Sequence, residues 1–269
     1  MTHPPLGSYL SSVRDTTPLV HCITNFVAMN STANLLLATG ASPAMLHAQQ
    51  EVAEFTAMAG ALSINIGTLS PHWVDAMLIA ARTAHERGTP WVLDPVAVGA
   101  TDYRRQVCAD LLTYQPSVIR ANASEVLALH GLAHAGRGVD STAATDDALD
   151  AAMALAGQHR CIVAMTGEQD IVTDGHQRYL INGGHPLMPR VTTLGCGLSA
   201  LLAAFVAANQ DDALRASSAA VTCFAMAGRH AGEIAAGPGS FYVAFLDALY
   251  QLTPDALSHF AQREMTHAA

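Results

Sequence analysis

No lysine occurs anywhere in the 269 residues, so all 13 basic residues are arginines. That excludes a P-loop lysine, a Schiff-base lysine and a lysine general base, and leaves arginine, metal or backbone N–H to hold any phosphate. Charged residues amount to only 13% and the formal net charge is -9. The basic surface that nucleic-acid binding needs is therefore missing. The five cysteines (Cys22, Cys108, Cys161, Cys196 and Cys223) contain no C-x-x-C spacing and are odd in number, which suits neither a disulfide framework nor a zinc site. A reducing, cytoplasmic location is expected. Met1 to Asp15 has no basic stretch followed by an apolar core, and no apolar helix candidate approaches the roughly 20 residues of a membrane span, so neither a signal peptide nor a membrane segment is expected.

What is abundant is apolar side chain, 51% of residues, more than a monomer of this size usually buries. An oligomer with apolar interfaces follows. With no linker-like stretch rich in Pro, Gly or Ser, one domain over residues 1–269 is expected. Short apolar runs at Leu19 to Thr24, Ala61 to Ile66, Trp91 to Leu93, Ser117 to Ile119 and Cys161 to Met165 read as strands. They alternate with helical patterns at Ser31 to Leu37, Val52 to Ala59, Pro71 to His85, Arg104 to Leu112 and Asp146 to Ala156. The alternation predicts an α/β fold with a mainly parallel central sheet and helices on both faces. Ile171 to Thr173 and Gln177 to Ile181, joined by Asp174-Gly175, predict an antiparallel edge hairpin.

Each parallel strand ends in a chemically capable residue: Asn25, Gly67-Thr68, Asp94, Arg120 with Asn122, and Thr166-Gly167. Ligands of open parallel sheets sit beyond those ends. Gly195-Cys196-Gly197 stands between a β-like run, Arg190 to Thr193, and a small-residue helix, Leu198 to Ala208. A glycine-lined turn opening a helix aims free N–H groups and the positive dipole end at one point, an anion hole of Gly195, Cys196 and Gly197. The same turn also reads as simple structure with a small core cysteine. Asp94 before Pro95 suits magnesium or an Asx turn. Asn122 followed by Glu125 reads as a capping box, with the phosphate-binding guanidinium of Arg120 beside it. Gly136 to Ser141 only partly matches a dinucleotide fingerprint and follows no strand. His130 and His134 lack an H-E-x-x-H context for zinc.

Taken together, Pro18 to Asn25, Gly40 to Met45, Asn65 to Leu69, Leu93 to Gly99, Ile119 to Glu125 and Thr166 to Glu168 resemble the hydroxyethylthiazole kinase family in order over nearly the whole chain. The resemblance implies a ribokinase-like fold and a homotrimer with active sites between subunits. It also implies Mg2+-dependent transfer from ATP to the primary alcohol of 4-methyl-5-(2-hydroxyethyl)thiazole in thiamine salvage. It implies further that Met45, Asn25, Gly67 and Gly195 bind the thiazole, Arg120 and Thr166 bind ATP, Asp94 and Glu125 serve the magnesium and phosphate region, and Cys196 is the catalytic residue facing the hydroxyl. A thiol at a helix start is expected to have a lowered pKa, which would make Cys196 a weak base or a polar wall.

Two departures stand out. The family's Gly-Thr-Gly-Cys is Thr193-Leu194-Gly195-Cys196 here, and Ala121 replaces a usual glycine. A β-branched residue resists positive φ and narrows the pocket. Other readings are a hydroxymethylpyrimidine or pyridoxal-type kinase, an ATP-dependent hydrate dehydratase, a cysteine hydrolase pairing Cys196 with His21 or His185, and a non-catalytic thiazole or nucleotide binder.

Overall fold

Period-two burial along the apolar runs builds two cores from one sheet. Within β1 (Leu19–Ile23), β3 (Ala61–Asn65), β4 (Trp91–Asp94), β5 (Val118–Asn122) and β6 (Ile162–Thr166), alternate side chains go to opposite faces. Val20, Ala61, Val92, Val118 and Ala164 join one apolar cluster, while Ile23, Leu62, Leu93, Ile119 and Val163 join the other. These assignments come from a computed structural model, which describes residues 3–133 and 145–268. His134 and the Gly136 to Ser141 run lie outside the described residues.

Four further strands, β2 (Ser42–Met45), β7 (Asp170–Thr173), β8 (Arg178–Ile181) and β9 (Met265–Ala268), complete a sheet of order β2-β1-β3-β4-β5-β6-β7-β8-β9. Pairing is parallel from β2 to β6 and antiparallel from β6 to β9. The expected hairpin is present as β7 and β8, but it is not the edge, because β9 pairs with β8 and covers it.

One face carries α1 (Gly7–Thr16), α2 (Met29–Thr39), α8 (Leu194–Ala208), α9 (Ala213–Ile234), α10 (Pro238–Gln251) and α11 (Pro254–Glu264). The other carries α3 (Val52–Met58), α4 (Pro71–Arg87), α5 (Asp102–Leu112), α6 (Ala123–Ala133) and α7 (Thr145–His159). Proline opens α4, α10 and α11, where its missing N–H costs nothing. Thr101 and Thr253 cap α5 and α11 through their hydroxyls.

The expected strand at Arg190 to Thr193 is not one: Met188–Arg190 is a 3-10 turn and Thr193 has left-handed backbone. Helix α8 accordingly begins at Leu194, four residues before the expected Leu198. Its residues from Gly197 to Val206 are all buried, so the helix runs through the core between α2 and the sheet. No single helix among the described residues is long and apolar enough to cross a membrane.

Close approach of α2 and α8 demands glycine at position 197, since a Cβ there would run into Leu35 Cδ1. Gly197→Ala is expected to lower stability by about 1 kcal/mol or more in thermal unfolding, overpacking outweighing the gain in helix propensity. Gly197→Ala combined with Leu35→Val should lose less than the sum of the two single losses.

Candidate active site

Parallel pairing lines up the carboxyl ends of β1, β3, β4, β5 and β6 at one rim of the sheet, and the mouth of α8 is packed against it. A polar network runs across that rim. Asn25 Nδ2 donates to Asn65 Oδ1 at 2.8 Å and to Cys196 Sγ at 3.3 Å. Asn65 Nδ2 in turn donates to Asp94 Oδ2 at 2.6 Å, and Ser199 Oγ donates to the same oxygen at 2.7 Å. Gly67 N donates to Asn65 Oδ1 at 2.9 Å. A Cβ on Gly67 would lie 2.8 Å from Asn25 Nδ2, so this turn requires glycine for space.

Asp94 is fully buried, and its Oδ1 accepts no hydrogen bond. Arg120 Nη1 stands 3.8 Å from that oxygen. Burial pushes the Asp94 carboxyl up to about 6, with Arg120, Ser199 and Asn65 pulling the other way. Arg120 Nη2 donates to Thr166 Oγ1 at 2.7 Å, which fixes the guanidinium plane over Gly195. A Cβ on Gly195 would be 2.7 Å from Arg120 Nη1. The sequence-expected pair Arg120 and Thr166 is thus joined directly, and Gly195 is small because a cation lies on it.

At the mouth of α8 the free N–H set is shifted by one residue from expectation. Gly197 N donates to Thr193 O at 2.9 Å, a bond within the helix, so Gly197 does not belong to the anion hole. Thr193 supplies no side-chain cap, and the N–H groups of Leu194, Gly195 and Cys196 have no acceptor among the described residues. Leu194 takes the place expected of Gly197. Thr193 itself has φ 72, a region that costs a β-branched residue on the order of 1–3 kcal/mol.

Glu125 is committed locally. Its Oε1 accepts from Ala97 N and its Oε2 from Asn122 N, each at 2.9 Å, while Asn122 Oδ1 accepts from Glu125 N. The capping box is therefore real, and it also ties the loop after Asp94 to α6. Among the described residues no three His, Cys, Asp or Glu side chains form a metal cage. The unpartnered Asp94 Oδ1 is the kind of hard oxygen Mg2+ takes when phosphates and water complete its shell, and the Glu125 carboxylate, near enough to act on Asp94 electrostatically, already holds two backbone N–H groups.

Cys196, third residue of α8, is half-buried. Its thiol pKa is raised, by burial first and then by the Asp94 charge, against the lowered value expected at a helix start. Among the described residues no histidine is hydrogen-bonded to its sulfur, which accepts from Asn25. His21 is wholly buried, with Nδ1 on Thr56 Oγ1 and Nε2 on Leu46 O, and burial lowers its pKa to about 4. His185 Nδ1 accepts from Leu187 N. A thiolate nucleophile with a histidine base is not assembled, which removes the hydrolase reading.

Three contributors escaped the sequence reading. Asn65 is the hub of the network, yet in the sequence it stands out only as the first residue of the family-like run Asn65 to Leu69. Arg104 donates to Ile66 O, Gly67 O and Val96 O at 2.7–2.9 Å and thereby clamps the loops that follow β3 and β4. Asp170 accepts from Gly167 N at 3.0 Å beside a cavity of about 570 Å3, where burial pushes its carboxyl up to about 6. That cavity is lined by Arg120, Thr166, Gly167, Thr193 and Gly195 among others. Asn25, Met45 and Gly67 lie outside it. Met45 ends the edge strand β2, half-buried beside Cys22.

Comparison with known proteins matches residues 10–255 to the model described as the hydroxyethylthiazole kinase family. A hydroxyethylthiazole kinase of Rhizobium rhizogenes is 54% identical over 256 residues, 95% of this chain and 96% of the relative. The solved hydroxyethylthiazole kinase structure from Pyrococcus horikoshii OT3 superposes with a TM-score of 0.90 at 38% identity, covering 98% of this chain and 99% of the other. A ribokinase-like superfamily protein from Enterococcus faecalis V583 gives 0.65 at 13% identity over 97% and 93%, a likeness of fold alone. The fold is ribokinase-like.

Asp94 makes stability pH-dependent. With the folded carboxyl at about 6 against 3.8 in the unfolded chain, the native state holds the proton longer, so stability falls as pH rises from about 4 to 6. Asp94→Asn, which keeps an acceptor for Asn65 and Ser199, should gain on the wild type over that window by up to about 3 kcal/mol and then level off. Melting curves of both proteins from pH 4 to 8 test this; a constant difference across the range would refute it.

Proposed function

This chain belongs to the hydroxyethylthiazole kinase family, and on that premise we propose how it phosphorylates the primary hydroxyl of 4-methyl-5-(2-hydroxyethyl)thiazole with ATP, a step of thiamine salvage. The observation that carries the mechanism is the stacking of Arg120 on Gly195 beside three unengaged N–H groups, a rigid cradle for phosphoryl oxygens. In this reading the cavity holds ATP, with Arg120 and Thr166 gripping the polyphosphate. The N–H groups of Leu194, Gly195 and Cys196 face the charge that spreads over the moving phosphoryl group. The acceptor sits beyond the cavity, among Asn25, Met45 and Gly67, so that its hydroxyl meets the phosphorus near Cys196.

The oxygen–phosphorus bond to the alcohol forms as the bond to the β–γ bridging oxygen breaks, and ADP departs. The alcohol proton leaves late, to an oxygen of the transferred phosphoryl group or to water. Because a loose transition state asks mainly for alignment and charge stabilisation, a neutral thiol suffices at this position. Asp94 and Glu125 would hold Mg2+, which when bound neutralises charge on the β- and γ-phosphate oxygens. Asp94 also keeps Arg120 from swinging out of register, and Asn65 orients Asp94.

We further propose a homotrimer with the acceptor site closed by a second subunit. Phe26 and Val27, directly after Asn25, are each 61% exposed, an apolar wall without cover at the point where the substrate half of the site opens outward. Phe26 packs edge-on against Trp73, on which His47 stacks, so the wall is rigid. A cytoplasmic location is supported by five free cysteines.

Purified protein with magnesium, ATP and the thiazole alcohol should yield the phosphate ester by mass spectrometry, with far less product from matched hydroxymethylpyrimidine and pyridoxal alcohols. Ester from the other alcohols alone would overturn the assignment. In the same assay Arg120→Ala should raise KM for ATP and lower kcat at least 100-fold, as loss of a pre-aligned charge does. Cys196→Ala should keep a substantial share of kcat, because the raised pKa keeps the thiol protonated and unable to take the alcohol proton.

A further inference from the structure

We infer that Thr193 and Ser31 form a positioning pair that fixes the mouth of α8 against the acceptor side of the site, an inference resting on the kinase reading above. Thr193 Oγ1 and Ser31 Oγ are 2.6 Å apart. The direction follows from proton count: Ser31 Oγ donates to Ala28 O at 3.0 Å, so Thr193 must supply the proton between the two hydroxyls. Ala28 is in turn fixed from the other side, because Ala28 N and Val27 N both donate to Asn25 Oδ1, at 3.0 and 3.1 Å. Asn25 Nδ2 then reaches back to Cys196 Sγ. The start of α2 is thereby joined to the first turn of α8 at two points, residue 193 and residue 196, and the N–H groups of Leu194, Gly195 and Cys196 lie between or at those tethers.

This closed loop also explains why a β-branched residue persists at φ 72 where glycine would rest without strain. Glycine would give the same backbone shape without the tether. Thr193 borders the nucleotide cavity while Ser31 belongs to the helix that follows Asn25, so the bond sets the spacing between the phosphoryl cradle and the acceptor hydroxyl. An error in that spacing falls on the transfer step rather than on ATP capture, which rests with Arg120 and Thr166.

Steady-state kinetics, ATP titration calorimetry and melting curves on four proteins test the pair. Ser31→Ala cuts the tether without touching the Thr193 backbone, so kcat should fall roughly tenfold with the ATP dissociation constant within twofold of wild type, and Tm should drop because the strain at Thr193 is left uncompensated. Thr193→Gly should show the same loss of kcat with Tm unchanged or higher. Thr193→Ser, which keeps the hydroxyl, should recover most of kcat. Wild-type kcat in both Ser31→Ala and Thr193→Gly overturns the pair, as does a tenfold loss of ATP affinity in place of the loss of kcat. A wild-type protein that makes no thiazole phosphate overturns the kinase reading itself and the inference with it.

Discussion

A carboxylate buried from the protein surface organises this molecule's working rim. Asp94 is fully buried at the end of a central strand, and burial of a charge is tolerated only where partners are supplied. They come from three directions: Asn65 from the neighbouring strand, Ser199 from the second turn of α8, and Arg120 from the next strand across. Each partner is then fixed by something else. Asn65 is held by Asn25 and Gly67, Arg120 by Thr166, and Ser199 by its helix. The result is that Asn25, Asn65, Asp94, Arg120, Thr166 and Ser199 share one polar frame, and displacement of any one changes the surroundings of Asp94.

The two halves of the site differ in how they are enclosed, and the difference follows from the sheet. The cavity proposed for the nucleotide lies over β5 and β6, between α8 and the antiparallel strands, where one chain supplies walls on several sides. The proposed acceptor half lies over β1 and β2 at the opposite, parallel edge, where the sheet runs out and Phe26 and Val27 are exposed. An edge strand cannot enclose a ligand by itself. The proposed second subunit therefore supplies a wall that this topology does not provide within one chain.

Much of this was legible in the sequence, and the remainder was not for identifiable reasons. The parallel strands β1, β3, β4, β5 and β6 are nearly uninterrupted apolar runs because both faces are covered, so their ends could be read to within three residues, the largest miss being the end of β5 at Asn122. Strand β2 carries Ser42 and Pro43 and is only half-buried, and β9 interrupts Met265 and Ala268 with the exposed Thr266 and His267, so neither shows the run of a core strand. Val191, Thr192 and Thr193 have β propensity, but propensity yields to context, and the chain turns there to start α8 early. Among the residues gathered at the rim, Asn25, Gly67, Asp94, Arg120 and Thr166 stand out in the sequence by their places at strand ends. Arg104 was not, because an arginine on a helix surface looks solvated until its three carbonyl partners are known. The raised Cys196 thiol escaped for a related reason: a helix start argues for a lowered pKa, and only the packing reveals that Asp94 and desolvation oppose it.

The absence of lysine ties the geometry together. An ammonium on a flexible stem would act as a point charge that hunts for phosphate, whereas a guanidinium is a plane with fixed donor directions and must be laid down in advance. Arg120 is so laid: one edge is engaged by Thr166, Asp94 lies beside it, and the Cβ-less Gly195 accommodates its face. Such a cation can work only if the neighbouring N–H groups are equally fixed, since two rigid donors set at the wrong spacing cannot adapt to the same phosphoryl group. Fixing the first turn of α8 through Thr193 and Cys196 meets that requirement, so the strained threonine and the arginine-only phosphate grip are consequences of one constraint: a site that holds its charges by position rather than by reach.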